Sequence, residues 1–283
     1  MSRPLILITN DDGVKSPGLL AAVRVLRGLG ELIVVAPREQ QSSSGRAFYW
    51  SKRPAQKKMI RIGRSNIVAY GVDASPAVSV RYALMLAVPR KPSLLVSGIN
   101  YGENLGSGLT ISGTVGAALE GAADGVPSLA VSLETDKAYH TSHSLDIDFS
   151  VAAVWTRRMA ERILNQEIPE NAPLLNVNIP RDATPETPLR VTRASHQAYF
   201  RSLVEAGRFV GYDVVVERES LEHDSDIYAI LVDRVISVTP LTYDLTAQVN
   251  RSKLEEALEK TNGRRKRNRT TRAALRGTAA RPV

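Results

Sequence analysis

The chain has no cysteine among its 283 residues. Disulfides, thiolate metal sites and cysteine nucleophiles are therefore excluded, and a reducing, cytoplasmic setting is the expectation. It also lacks any run of about 18 uninterrupted apolar residues, the length a membrane-spanning helix needs. The apolar stretch Pro4–Thr9 runs straight into Asn10-Asp11-Asp12 with no small-residue cleavage site, unlike a secretory signal. No membrane partner is expected. No Gly-x-Gly-x-x-Gly follows this first strand-like segment, which argues against a dinucleotide-binding module.

Net charge is concentrated rather than general. The formal charge is +8, yet residues 251–283 hold eleven Lys/Arg against Glu255, Glu256 and Glu259, and that surplus is the whole of it. Residues 1–250 carry 26 basic and 26 acidic side chains. The body does not read as a nucleic-acid binder, and any such contact is expected to be weak and through the tail. Residues 251–260 read as a short helix, and from Thr261 the composition is too poor in apolar residues to order itself.

What is present is an alternation of buried strands and helices. Pro4–Thr9 is a continuous apolar run of the kind found in parallel strands. Pro17 opens a helical pattern with Leu19, Leu20, Val23, Leu26 and Leu29 on one face. Glu31–Ala36 is a second buried strand. These 36 residues form a β-loop-α-β unit. Lys58–Ile62 and Asn66–Gly71 read as an exposed hairpin, Pro76–Val88 as a helix and Ser93–Ser97 as a strand. Helices at Ser112–Gly125 and Phe149–Leu164 and strands at Ser128–Ser132 and Leu174–Ile179 follow, with Trp155 expected inside. Beyond Pro180, Leu189–Thr192, Tyr212–Val216 and Ile227–Val238 read as strands. The expected fold is a Rossmann-like α/β parallel sheet with helices on both faces over residues 1–180. A β-rich part follows over 181–250 and a basic tail over 251–283.

Three loops carry the chemistry. Asn10-Asp11-Asp12-Gly13 follows the first strand, Ser42-Ser43-Ser44-Gly45 the second, and Gly98–Gly106 the Ser93–Ser97 strand, leading to Ser112-Gly113-Thr114 at a helix start. In a doubly wound sheet such loops converge beyond the carboxyl ends of the strands, where ligands bind. Adjacent carboxylates repel unless a cation lies between them, and hard oxygen ligands suit Mg²⁺, Mn²⁺ or Ca²⁺. Ser112 and Thr114 at a helix N-terminus offer hydroxyls and free N–H groups to a phosphate. Each loop alone is more often a turn, a solvated serine run or a helix cap. Their coincidence on one rim is what points to an anion or metal site. No histidine falls in these loops, so His140, His143, His196 and His223 are expected at the surface rather than in catalysis.

The segments Leu7–Gly13 with Ser16-Pro17-Gly18, Val34–Pro37, Val96–Gly106 and Ser112–Gly121 closely resemble the SurE family of 5′/3′-nucleotidases. Asn176–Pro180, Val235–Leu241 and Asp244-Leu245-Thr246 also look like it, so the resemblance spans residues 5–246. It implies a SurE-like fold and hydrolysis of nucleoside 5′- and 3′-monophosphates with one divalent cation per subunit, Mg²⁺ or Mn²⁺. Carried over, Asp11, Asp12, Ser42 and Asn100 hold the metal, with Ser43 a substitute for Ser42. Asp11 and Asp12 are also the catalytic residues, and Asn104, Ser112, Gly113 and Thr114 hold the phosphate. The family also implies a homodimer or homotetramer assembled through the C-terminal part. The chain departs from the family pattern at Gly71–Ala77, at Ser107–Ile111 and over 195–210, which bears on substrate preference. The competing reading is a non-catalytic nucleotide-binding or nucleic-acid-associated protein that uses the basic tail.

Overall fold

In β1 (Leu5–Thr9) every side chain is buried, as expected of a central strand that must be apolar on both faces. The structure is a computed structural model that describes residues 3–259. After β1 come α1 (Pro17–Leu26), β2 (Glu31–Pro37), β3 (Gln56–Ile62), β4 (Ser65–Val72) and α2 (Pro76–Tyr82). Next are β5 (Leu94–Tyr101), α3 (Gly113–Ala123), β6 (Ser128–Leu133), α4 (Ser150–Leu164) and β7 (Leu174–Ile179). The last elements are β8 (Leu189–Val191), β9 (Phe200–Glu205), β10 (Arg208–Val214), α5 (Asp226–Leu231) and β11 (Ile236–Leu241).

Nine strands form one sheet in the order β3-β4-β2-β1-β5-β6-β7-β11-β8. Pairings from β4 across to β7 are parallel, while β3 and β11 run antiparallel to β4 and β7. Alternate residues of the central strands feed two cores. Ile6, Ile8, Val34 and Val96 meet α1 and α4 on one face. Leu5, Leu7, Val35 and Leu95 meet α2 and α3 on the other. Ile8 is fully buried, and truncating such a residue to Ala costs about 2–5 kcal/mol. The chain leaves β1 for β2 on one side, while β5 lies on the other. This places the switch point of the sheet at the carboxyl end of β1.

The sequence-based outline needs three corrections. The Lys58–Ile62/Asn66–Gly71 hairpin exists, but β4 pairs with β2 inside the sheet and buries Ile67 and Ala69. The strand expected to stop at Ser97 runs on to Tyr101, so Asn100 sits on a strand end. Ile227–Val238 is not one strand. Ser225 caps a helix by accepting from the Tyr228 N–H at 3.2 Å, and Ile227 and Ile230 pack inward with Tyr199 and Leu105. The cap and this packing override the local β propensity.

β9 and β10 form a separate two-stranded sheet. A compact unit extends through Tyr243, and residues from Asp244 form a second, in which 251–259 are helical. The rest of the basic tail lies outside the described residues. Among the described residues no helix is long and apolar enough to cross a membrane.

Candidate active site

The loop after β1 is shaped by Asn10, whose side chain accepts from the Gly13 N–H and donates to the Gly13 carbonyl, both at 3.1 Å. This closed turn fixes Asp11 and Asp12 at the switch point. Both are almost completely buried. Burial pushes the Asp11 carboxyl up, opposed by hydrogen bonds from the side chain and backbone of Thr114. The Asp12 carboxyl is pushed well up by burial and by the neighbouring Asp11, despite donors at Tyr101 and Gln40. Asp12 Oδ2 is buried with no hydrogen-bond partner. A buried acceptor of this kind is costly when left alone and is satisfied by a cation.

Thr114, expected to hold phosphate, has another partner. Its hydroxyl is buried and donates to Asp11 Oδ1 at 2.6 Å. Ser112 caps α3 by accepting from the Val115 N–H at 3.1 Å. A Cβ on Gly113 would lie 2.7 Å from both Cβ and Oδ2 of Asp11 and 3.0 Å from Ser44 Oγ. Only glycine lets the start of α3 approach the carboxylate this closely.

Ser42, Ser43, Asn100, Asn104 and Ser112 line the same cavity as Asp11, with a volume of about 480 Å³. Asp12, Gly113 and Thr114 adjoin these residues in sequence but are not among those that line the cavity. The Asn100 amide donates to the carbonyls of Tyr101 and Gly102 at 3.1 and 2.7 Å, which leaves its Oδ1 as a spare acceptor. Asn104 is held by its backbone: its N–H donates to Asn178 Oδ1 at 2.8 Å, and Asn176 and Asn178 donate to its carbonyl. A second, open depression of about 530 Å³ along α4, near Trp155 and Arg162, lies apart from these loops.

Several residues here were not singled out as site residues from the sequence. Gln40 Nε2 donates to Asp12 Oδ1 at 3.2 Å, to Ser42 Oγ at 2.8 Å and to the His140 carbonyl at 2.8 Å. Ser44 Oγ is buried without a partner. His140 is not a surface residue; its ring packs over Gly102, where any Cβ would come within 2.6 Å of Nε2. Nε2–H donates to the Thr135 carbonyl at 3.3 Å, and the Tyr212 hydroxyl donates to Nδ1 at 2.9 Å. Burial lowers its pKa, which favours the neutral ring. His143 remains exposed but donates to the Asp12 carbonyl at 2.7 Å. Phe200, Ser202 and Tyr212 of the β9–β10 hairpin close the far wall. Their distance in sequence from the first three loops hid them. Glu103 is buried under this wall, and burial pushes its carboxyl up to about 7.

Two carboxylates, neutral oxygen donors and a helix start are gathered at the switch point of a Rossmann-like sheet, the place where α/β folds bind ligands, and their chemistry suits an oxygen-rich anion and a hard cation. The family model described as Survival protein SurE matches residues 6–201. A 5′-nucleotidase SurE from Thermococcus kodakarensis is 42% identical over 257 residues, 89% of this chain and 98% of the relative. One from Thermococcus gammatolerans is 43% identical, covering 89% and 95%. The crystal structure of the SurE protein from Aquifex aeolicus aligns with a TM-score of 0.68 at 33% identity, over 92% of this chain and 100% of that one. The chain belongs to the SurE family.

Proposed function

We propose that the cavity hydrolyses nucleoside 5′-monophosphates, and 3′-monophosphates more broadly, to nucleoside and phosphate. Curated relatives that carry the name 5′-nucleotidase over nearly their whole length make the chain an enzyme of this class. The observation that carries the site is the buried Asp11–Asp12 pair, with Asp12 Oδ2 unpartnered. Among the described residues no group of three or more His, Asp or Glu is arranged for a metal. A cation here takes two carboxylates with neutral oxygens, and Asp11, Asp12, Ser42 and Asn100 fit Mg²⁺ or Mn²⁺. When bound, such a cation polarises the phosphoryl oxygens and lowers the pKa of a nearby water.

The protein's own groups do the rest. A cation bound beside them would offset the burial, and at Asp12 the repulsion by Asp11, that push the two carboxyls up and would favour their ionised forms. One of Asp11 and Asp12 accepts the proton of the attacking water. Asn104, Ser112 and the Gly113 N–H cradle the phosphate at the start of α3, while Thr114 positions Asp11. The cavity wall of Phe200 and Tyr212 shields the phosphoryl group from bulk water. The exposed Val204, Phe209 and Val210 on the hairpin support pairing of copies through this part of the chain. Ile227 and Ile230 need no such cover, being buried within the protomer.

Phosphate release from a panel of phosphomonoesters with Mg²⁺, Mn²⁺ or EDTA tests the reading. Turnover of monophosphates that stops in EDTA is the expected result. Nucleotide binding with no turnover under any cation would instead favour a non-catalytic binder.

A further inference from the structure

The neutrality of residues 1–250 hides a local asymmetry. Between Glu39 and Asp73 there is no acidic residue, yet this stretch carries seven cations: Arg46, Lys52, Arg53, Lys57, Lys58, Arg61 and Arg64. All seven are exposed. Only Arg46 and Arg53 are ion-paired among the described residues, to Glu120 and Asp73. Phe48, Tyr49 and Trp50 fall within the same stretch, exposed by 65, 55 and 55%. Three consecutive exposed aromatics are costly to leave in water without a ligand.

These aromatics are presented by a fixed backbone. The Ser75 N–H donates to the Tyr49 carbonyl at 2.9 Å, and the Ser51 N–H to the Asp73 carbonyl at 2.8 Å. The Ser75 hydroxyl donates to the Ala47 carbonyl at 2.5 Å. Phe48 and Trp50 meet edge-to-face with ring centroids 5.1 Å apart, and the Arg81 guanidinium lies 5.2 Å from the Phe48 centroid. Arg46 and Arg81 both pair with Glu120, which is buried on α3. The platform is thus clamped to the helix whose first residue, Gly113, abuts Asp11. Glu120 is seven residues along that helix, about 10 Å at ~1.5 Å per residue. About three nucleotides stacked at ~3.4 Å each cover that length of helix. Lysines on β3 also discourage edge-strand pairing, but that role needs no exposed aromatics beside them.

We propose that residues 46–64 are a docking surface for single-stranded nucleic acid, which delivers the terminal phosphate of the strand to the cavity. Unpaired bases stack on Phe48, Tyr49 and Trp50, while Lys52, Lys57, Lys58, Arg61 and Arg64 follow the backbone phosphates. The chemistry rests on the phosphatase reading above. The water oxygen bonds to phosphorus, the bond from phosphorus to the terminal ester oxygen breaks, and that oxygen leaves as the strand's hydroxyl with one of the water protons. The substrate class is thereby widened from monophosphates to phosphorylated strand ends.

The test uses the full chain and a 5′-phosphorylated single strand of about ten nucleotides, within the range such surfaces cover. Fluorescence anisotropy of the labelled strand reads binding, and phosphate release from strand and from mononucleotide reads turnover. The paired variant Phe48→Ala/Trp50→Ala should weaken strand binding at least tenfold, in line with the loss of stacked bases. Mononucleotide turnover should stay unchanged. Lys52→Glu with Lys58→Glu should do the same and flatten the salt dependence, which covers the case of an aromatic variant that misfolds. In a Trp155→Phe background the only remaining tryptophan is Trp50, and the strand should quench its emission. A mononucleotide that is never hydrolysed refutes the phosphatase reading and leaves the binding result standing. Strand binding indifferent to both variants overturns the docking surface, whatever the turnover. So does a change in oligomeric mass alone, which would make the aromatics a contact between copies.

Discussion

The Thr114 hydroxyl donates to Asp11 Oδ1 at 2.6 Å, joining the start of α3 to the end of β1 across 103 residues of sequence. Asp11 is almost completely buried, so this bond is a main support of its ionised form. Thr114→Val keeps the shape and removes the donor. A buried charged group that loses a hydrogen bond loses about 1–3 kcal/mol. Cation affinity and phosphate release should therefore fall by roughly tenfold or more, while Thr114→Ser stays near wild type. Calorimetric titration with Mn²⁺ checks this, and a fully active Thr114→Val would remove Thr114 from the site.

Asp12 should be indispensable to activity and dispensable to folding. Its carboxyl is pushed well up, first by burial and then by Asp11, so ionising it opposes folding once the pH passes the ordinary carboxylate range. Asp12→Asn should leave the metal-free protein at least as stable at pH 7. The rate should drop by at least about a hundredfold, the scale for loss of an essential electrostatic group. Stabilisation by Mn²⁺ should vanish with it, because a ligand stabilises only as far as it binds the folded state. Paired melting and phosphate-release assays decide. An active Asp12→Asn, or a wild type unaffected by EDTA, would refute the metallophosphatase.

The parts of this molecule that were readable in advance are those where local pattern and global role coincide. The apolar runs of β1, β2, β5, β6 and β7 read as parallel strands because both of their faces are covered. The loops that follow β1, β2 and the Ser93–Ser97 run read as candidate site loops because each follows such a strand, and the resemblance to the SurE family singles out Asp11, Asp12, Ser42, Asn100 and Asn104 in them. The rest depends on contacts between distant segments. Gln40 and His140 are 100 residues apart and meet only because the loop after β6 folds back over the loop after β2. Phe200 and Tyr212 lie on a hairpin outside the main sheet, where no strand-end rule applies. Ile227 and Ile230 look like strand residues, and only the Ser225 cap and their packing against Tyr199 make them helical.

Glu103 sets a pH signature of its own. Burial lifts its carboxyl from 4.5 to about 7 in the folded chain. Between those values the folded state retains a proton that the unfolded state has released. The contribution of Glu103 to the stability of the metal-free protein therefore falls as pH rises from about 4.5 to about 7, then levels off. That fall is about 3 kcal/mol. Glu103→Gln should remove it, making the variant more stable than wild type at pH 8 and close to it at pH 4. Urea unfolding in EDTA at the two pH values is the measurement, and equal slopes for variant and wild type would contradict it.

The Gln40 amide ties three parts of the site together: Asp12 Oδ1 at 3.2 Å, Ser42 Oγ at 2.8 Å and the His140 carbonyl at 2.8 Å. Gln40→Leu fills similar space and donates nothing. Asp12 then keeps its buried charge with one donor fewer, and the segment around His140 loses its anchor to the loop after β2. Amide exchange over residues 137–144 should quicken, because a segment with few backbone bonds opens locally once such a tie is lost. The His140 ring and the Tyr212 hydroxyl that bonds it should shift together, since they share one cavity wall. Turnover should fall about tenfold through both effects, with the metal-free melting point changed by only a few degrees. Hydrogen exchange paired with phosphate release separates the two contributions. Slower turnover with unaltered exchange would assign Gln40 to Asp12 alone, and unaltered values of both would show that the amide holds nothing that matters.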